Sequence, residues 1–216
     1  MTNLRFPKAI NNFRPYKSHR YDVFGLKVNR TLTLFDPPAL YTWLQLEADP
    51  LVLSYCERPA VIPDTTPKQI IDFWVAYSSR EEFWLLQSGK VKPQPDKLTM
   101  PLPAFTAWAT SQRLFVRHVQ PMNRFEHTHF LDNWGRIVRT LSANRRYLTS
   151  QLLKRVLDYM AGMAEPQSLS HLMQIYPDED PALVHTAVFS LIHAGKLRCS
   201  DIDSQPLGPG SMVVVA

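Results

Sequence analysis

Apolar positions in the first half of the chain follow two periods, which predicts strands interspersed with helices. Two apolar runs, residues 69–76 and 82–87, flank a short polar link, a pattern typical of a β-hairpin. From Pro37 onward the apolar residues recur at spacings of three and four, which predicts a helix. Other strands are predicted at residues 30–34, 51–55 and 114–119, and another helix at residues 103–112. The pattern predicts an α/β domain over residues 31–122.

The second half of the chain is predicted to be mostly helical and to end in two short strands. Helices are predicted at residues 123–144, 148–160, 168–176 and 182–194, and strands at residues 197–201 and 212–215. Asp180 is a natural N-cap for the last helix, and Gly195 is a natural stop. Three helices followed by a β-ribbon are typical of a winged-helix domain, which we predict for residues 145–216. Residues 123–144 are then expected to form a connecting helix.

The composition favours a reduced, cytoplasmic protein. No stretch of the sequence approaches the run of about 18 apolar residues that a membrane span requires. The basic N-terminus has no apolar segment of the secretory type. Two cysteines, Cys56 and Cys199, are too few for a disulfide framework. We therefore expect a cytoplasmic location and no membrane partner.

Charge comes in four alternating blocks rather than being spread evenly. Residues 1–30 have a net charge of +6, residues 31–112 of −3, residues 113–155 of +7 and residues 156–216 of −5. The two basic blocks suit contacts with phosphates, so we predict that they bind double-stranded DNA; a solvated basic face is the alternative interpretation. The acidic C-terminal block favours docking to a protein over binding to DNA.

Basic residues alternate with aromatic residues in the first 30 positions, which are interrupted by prolines. We predict that residues 1–30 form an extended basic arm that follows a nucleic-acid backbone. A structural arm that packs its aromatic side chains on the core is an equally open alternative. The candidate DNA-binding residues of the two basic blocks are Arg14, Lys17, Arg20, Lys27, Arg30, Arg145 and Arg146.

The predicted hairpin carries the candidate chemistry of the chain. Asp72 lies in its first strand, Gln87 ends its second strand, and Lys90 follows. A carboxylate and a second oxygen ligand on neighbouring strands, with a lysine nearby, suit a Mg²⁺ or Mn²⁺ ion held against a phosphodiester. The alternative is an ordinary strand aspartate bonded to backbone or water. The chain has no glycine-rich phosphate loop, which excludes the common nucleotide sites.

The order of these parts resembles that of TnsA, the endonuclease subunit of heteromeric cut-and-paste transposases. The matching segments are residues 49–59 (DPLVLSYCERP), 72–75 (DFWV), 84–87 (WLLQ) and 191–207 (LIHAGKLRCSDIDSQPL). The resemblance covers nearly the whole chain. It implies an α/β restriction-endonuclease-like N-terminal domain plus a C-terminal winged-helix domain.

The resemblance also implies that the chain works in a multiprotein complex. A TnsA subunit cuts the 5′ ends of the transposon, while a DDE-type transposase cuts and joins the 3′ ends. It works together with that transposase and an AAA+ ATPase regulator, which the winged helix contacts.

The catalytic positions of the family are only partly matched. Asp72 stands at the second acid and Gln87 at the third ligand. The early helix has no glutamate at the first acid, and the lysine position holds Gly89, one residue before Lys90.

Three functional hypotheses follow. The first is an accessory subunit that binds transposon-end DNA and docks the transposase and the ATPase, with weak or lost nuclease activity. The second is an active metal-dependent endonuclease whose site is shifted to Asp36, Asp72, Gln87 and Lys90. The third is a winged-helix DNA-binding regulator without a role in transposition.

Overall fold

The computed structural model describes residues 5–63, 65, 68–87 and 103–216, so Lys90 lies outside the described residues. The chain divides into two compact units. Unit 1 comprises Met1–Leu46 and Leu51–Met122, and unit 2 comprises Glu47–Pro50 and Asn123–Ala216. Within the described part of the chain, no helix has the length and apolar character needed to cross a bilayer.

Unit 1 begins with a hairpin that the sequence analysis did not predict. Strands β1 (Arg20–Gly25) and β2 (Arg30–Phe35) pair antiparallel. Tyr21 and Val23 alternate with polar residues in β1 and lie opposite leucines of β2, which is why this stretch forms a strand. The prediction of an extended arm over residues 1–30 is therefore wrong for its last third.

The earlier part of the predicted arm is anchored to the rest of unit 1. The Phe6 ring packs 5.6 Å from the Trp74 ring and 5.5 Å from the Phe83 ring, measured between centroids. The Ile10 N–H donates to the Arg58 carbonyl at 3.0 Å. The arm therefore lies along the fold, as in the alternative of a structural arm.

A four-stranded sheet forms the centre of unit 1. Helix α1 (Asp36–Ala48) precedes it, and its strands are β3 (Ser54–Glu57), β4 (Phe73–Ala76), β5 (Glu81–Leu86) and β6 (Leu114–Val119), in that spatial order. The first three strands are antiparallel. Strand β6 is parallel to β5, and helix α2 (Pro103–Ser111) comes between them, because a parallel pair needs a crossover connection.

The predicted hairpin of β4 and β5 is confirmed, but its first strand is shorter than predicted. Ile70 forms an isolated bridge with Val61, and the chain then bends at Asp72 before β4 begins at Phe73. Asp72 therefore precedes the strand rather than lying in it. The bend was not predicted because the apolar run continues through Ile70 and Ile71, of which Ile71 is fully buried and Ile70 lines the cavity described below.

Unit 2 contains four helices and a small sheet. The helices are α3 (Thr128–Asn144), α4 (Ser150–Ala161), α5 (Leu169–Gln174) and α6 (Pro181–His193). Strands β7 (Gln167–Ser168), β8 (Leu197–Cys199) and β9 (Met212–Val215) form an antiparallel sheet in the order β7-β9-β8. The two-residue strand β7 was not predicted.

Helix α6 lies at the centre of unit 2. It packs against α3, α4, α5 and β8. The predicted helix ends are confirmed, since Asp180 Oδ1 accepts the Ala182 N–H at 2.8 Å and Gly195 has a φ of +67°. Helix α3 belongs to unit 2, so the predicted connecting helix at residues 123–144 is instead part of the C-terminal core. Its apolar stripe requires this, because an amphipathic helix must bury one face.

Candidate functional site

An open cavity of about 340 Å³ in unit 1 collects charged residues from four segments of the chain. Its charged lining residues are Asp36, Glu57, Arg58, Lys68 and Asp72. The remaining lining residues are Pro15, Ser18, Thr33, Leu34, Phe35, Ala39, Ile70 and Phe73. The ends of β2 and β3 and the bend before β4 meet here, so residues far apart in sequence share one site.

Asp72 connects this cavity to the far end of the hairpin. Its Oδ2 accepts the Leu86 N–H at 2.7 Å, and its carbonyl accepts the Arg58 N–H at 2.8 Å. Burial raises the pKa of the Asp72 carboxyl to about 6, although the Leu86 N–H and the nearby Arg58 charge oppose this shift. The fold thus places the acid before β4 beside the last residue of β5.

The other predicted ligand at this end of the hairpin is Gln87. It directly follows Leu86, and its N–H donates to the Val119 carbonyl at 2.9 Å. Its side chain is exposed, and the described lining of the cavity contains Asp72 but not Gln87. The structure therefore places Gln87 directly after the residue that bonds Asp72, but it does not place both side chains in the cavity.

Glu57 is the most deeply buried carboxylate of the cavity, and an arginine holds it. The guanidinium of Arg30 donates to both carboxylate oxygens, at 2.8 and 2.5 Å. Such two-pronged, charge-assisted bonds are strong, because geometry and charge act together. Arg30, predicted to contact DNA, is therefore engaged inside the protein.

Two cavity residues have a left-handed backbone. Asp36 has a φ of +66° and Arg58 a φ of +46°, a conformation that costs non-glycine residues about 1 to 3 kcal/mol. The Asp36 carboxylate accepts the Ser18 hydroxyl at 2.8 Å and the His19 N–H at 2.9 Å. Backbone strain of this kind concentrates at functional sites, so it marks the cavity independently of the charges.

Arg58 fastens a segment that we call the N-terminal strap, residues 11–19. Its guanidinium donates to the Phe13 carbonyl at 3.1 Å and to Asn11 Oδ1 at 2.9 Å. The same guanidinium lies 5.0 Å from the centre of the Phe35 ring. Since Pro15 and Ser18 line the cavity, the N-terminal strap forms one of its walls.

The residues as placed do not fit a bound Mg²⁺ or Mn²⁺ ion. Asp36 accepts bonds from the N-terminal strap, Glu57 is paired with Arg30, and Asp72 accepts a backbone N–H. Among residues 5–63, 65, 68–87 and 103–216, no three His, Cys, Asp or Glu side chains are grouped closely enough to hold a metal ion. The acids of the cavity are instead satisfied by groups of the chain itself.

The predicted DNA-binding residues fall into separate places. In unit 1, Arg14 and Lys17 belong to the N-terminal strap, Arg20 pairs with Asp22 at 3.0 Å, and Lys27 lies in the turn between β1 and β2. In unit 2, a short 3-10 turn, Arg145–Tyr147, carries the other two arginines. The guanidinium of Arg146 lies 4.8 Å from the centre of the Tyr147 ring.

Three charged residues of the cavity were missed as site residues: Glu57, Arg58 and Lys68. The only local signal was a Glu-Arg-Pro sequence that ends a predicted strand, and such a sequence is also typical of an ordinary turn. Nothing local marks Lys68, which enters the cavity through the connection between β3 and β4.

Helix α6 corresponds to the third helix of the predicted winged-helix domain, and such domains often bind DNA through that helix. Seven of its residues are buried, and it carries neither lysine nor arginine. A helix that reads a groove must expose a polar or basic face, and α6 has no such face.

Comparison with known proteins identified no relative: no protein-family model matches the chain, and no curated protein matches it.

Proposed function

We propose that the protein is a TnsA-like subunit of a cytoplasmic DNA transposition complex, with weak or lost nuclease activity. It binds double-stranded DNA at transposon ends and docks a DDE-type transposase and an AAA+ ATPase regulator. The observation that carries the proposal is the position of Asp72 beside the end of β5, in a cavity whose acids are bonded to the chain itself.

The order of elements supports the fold that this proposal requires. In unit 1, α1 is followed by three antiparallel strands, then α2 and a strand parallel to β5, which is the arrangement expected of a restriction-endonuclease-like core. In unit 2, α4, β7, α5, α6 and a β-ribbon follow one another, as expected of a winged-helix domain.

The proposed loss of nuclease activity rests on the bonds that the carboxylates of the cavity already make. A divalent metal needs carboxylate oxygens that face one another and have no competing donors. Here Arg30 takes both oxygens of Glu57, and the N-terminal strap takes the oxygens of Asp36. Electrostatic stabilisation of a reacting phosphate would be weak at such a site, because its charges are already paired.

For unit 2, docking to a protein is favoured over binding to DNA. Residues 156–216 have a net charge of −5, which repels DNA and suits a basic protein surface. The buried helix α6 leaves the basic turn Arg145–Tyr147 as a place where this unit can touch a DNA backbone.

A cleavage assay tests the proposal. A plasmid with the ends of the element that encodes the chain is incubated with this protein, the neighbouring transposase and the ATPase, in Mg²⁺ or Mn²⁺, and the cut strands are mapped. Wild-type protein is compared with Asp72→Ala, and Asp178→Ala serves as a control because Asp178 is exposed in unit 2. We expect the three proteins to purify together and only 3′ strands to be cut, equally with each variant. Separate elution of this protein from both partners contradicts the proposal.

The second candidate function is an active metal-dependent endonuclease. The specific observation in its favour is that Asp36, Glu57 and Asp72 line one cavity together with the cation of Lys68. This function predicts 5′ cuts in the same assay, and these cuts disappear with Asp72→Ala but persist with Asp178→Ala. Unchanged 5′ cuts with Asp72→Ala would rule out this cavity as their source.

A further inference from the structure

The N-terminal strap displays two aromatic side chains to solvent. Phe13 is 82% exposed and Tyr16 is 88% exposed. Large aromatic side chains dominate cores and interfaces because burying them is strongly favourable, so two fully exposed rings within four residues point to a binding surface. Phe6, in contrast, is packed against Trp74 and Phe83.

The two rings project from a backbone that is held in place. Arg58 bonds Asn11 and the Phe13 carbonyl at the start of the N-terminal strap, and Asp36 bonds Ser18 and the His19 N–H at its end. In between, Arg14 Nε donates to the Ser18 carbonyl at 2.6 Å. A fixed backbone lowers the entropy lost when a ligand binds the exposed rings.

The charge around the rings selects the ligand. Residues 11–19 include Arg14 and Lys17 but no acidic residue. The Lys17 ammonium lies 5.2 Å from the centre of the Tyr16 ring. Alternating aromatic and basic groups suit single-stranded nucleic acid, because bases stack on the rings while phosphates pair with the cations. Paired bases inside a duplex do not present their faces in this way.

We propose that the N-terminal strap binds unpaired bases at a DNA end by stacking them on Phe13 and Tyr16. The N-terminal strap also forms a wall of the cavity. A DNA strand bound to the strap would therefore have its sugar-phosphate backbone at the cavity mouth. The ligand is therefore a frayed or single-stranded DNA end rather than a continuous duplex. This inference rests on the proposed function, since it requires that the protein binds DNA.

Equilibrium binding to three labelled probes tests this inference. The probes are a blunt duplex, the same duplex with one splayed end, and the corresponding single strand, measured by fluorescence anisotropy with the full chain. We expect the splayed probe to bind about tenfold more tightly than the blunt duplex, because each base stacked on an aromatic ring adds affinity of that order. The doubly substituted variant Phe13→Ala/Tyr16→Ala should lose this preference while it retains affinity for the blunt duplex.

Two control variants separate stacking from other effects. Phe125→Ala removes an aromatic ring that is 93% exposed in unit 2, and it should leave all three affinities unchanged. Lys17→Ala should lower the affinity for all three probes and reduce the salt dependence of binding, because it removes a phosphate contact. Substitutions at such exposed positions leave the core intact, so a loss of binding does not reflect unfolding.

A fluorescent base analogue gives a direct readout of stacking. A 2-aminopurine at the splayed end should be quenched by wild-type protein, and this quenching should disappear with Phe13→Ala/Tyr16→Ala. Equal affinity for splayed and blunt probes, or a preference that survives in the double variant, overturns this inference alone. Failure to bind any of the three probes overturns it together with the proposed function. Binding to anionic vesicles without binding to DNA would instead assign the N-terminal strap to a membrane surface.

Discussion

The cavity of unit 1 and the centre of unit 2 are built in opposite ways. The cavity contains strained backbone at Asp36 and Arg58 and a buried, paired carboxylate at Glu57. The centre of unit 2 is apolar, with Phe189 fully buried, and side chains cap its helices α4, α5 and α6. The cavity carries local costs in strain and buried charge, whereas the centre of unit 2 agrees with local preference at most positions; its exceptions are the uncapped start of α3 and the buried polar residues Asn133 and Thr186.

This difference distinguishes a region built for binding from a region that stabilises the fold. Strain and buried charge persist where a binding site needs them, because each costs stability that the rest of the fold must supply. A regular, capped and apolar core contributes that stability without chemistry of its own. Under the proposed function, the cavity and its N-terminal strap would therefore recognise DNA, and unit 2 would provide support and docking.

The largest expected effect is the loss of stability when a buried side chain in the core of unit 2 is truncated. Phe189→Ala should lower the free energy of unfolding by about 4 kcal/mol, because it removes a fully buried ring packed against the rest of α6 and its neighbours. Urea denaturation followed by circular dichroism measures this. Phe125→Ala is the matched control, since its ring is exposed, and its expected change is close to zero. Similar losses for both variants would contradict the account of this core.

The next effect concerns the ion pair of the cavity. Arg30→Met should lower the free energy of unfolding by about 3 kcal/mol, because Glu57 is then buried without a partner. The double variant Arg30→Met/Glu57→Leu should recover most of the loss, since it removes both charges. Urea denaturation of wild type, Arg30→Met, Glu57→Leu and the double variant completes the cycle. If the loss of unfolding free energy in the double variant equals the sum of the losses in the two single variants, the pairing does not stabilise the cavity.

Asp72 gives an effect that depends on pH. Its folded-state pKa of about 6 lies above the ordinary value near 3.8, so the charged form is disfavoured in the folded protein. Asp72→Asn should therefore be more stable than wild type by about 3 kcal/mol at about pH 8. The difference should shrink as the pH falls through 6 and vanish only below the ordinary pKa of 3.8, where both the folded and the unfolded state carry the proton.

Thermal denaturation across this pH range, with both proteins, measures the difference. A constant difference at every pH would mean that Asp72 is not buried as a charged group. A stability advantage of Asp72→Asn that grows as the pH falls would contradict the sign of the shift.

The smallest expected effect is the loss of a helix cap. Asp180→Ala should cost about 1 kcal/mol, because the Ala182 N–H loses its acceptor at the start of α6. Asp178→Ala removes an exposed acid of the same loop, and we expect it to change stability little. Equal costs for the two substitutions in urea denaturation would argue for a charge effect rather than a cap.

The same contrast explains which features could be predicted from sequence. The ends of α6 were predicted because Asp180 and Gly195 act within one turn of the helix. Strands β4 and β5 were predicted because their apolar runs are local. The cavity could not be assembled in this way, since Glu57, Lys68 and Asp36 meet only through the antiparallel pairing of β3 with β4 and the turn into α1.

Strand β1 was missed for a related reason. Its alternation is short, and it lies in a basic, proline-containing stretch that is also typical of an arm, so only pairing with β2 decides its conformation. Asp72 was singled out as a candidate, and it does line the cavity, but its predicted placement inside a strand was wrong because the bend before β4 has no glycine or proline to mark it.

The most direct test of the central claim, that the protein binds DNA without cutting it, is equilibrium binding of a splayed-end duplex with and without metal. Wild-type protein is titrated against the probe in EDTA and in Mn²⁺, and the same samples are run on a strand-resolving gel. The account predicts equal affinity in both conditions and intact strands. Binding that requires Mn²⁺, accompanied by nicks that vanish with Asp72→Ala, would contradict it and identify an active endonuclease.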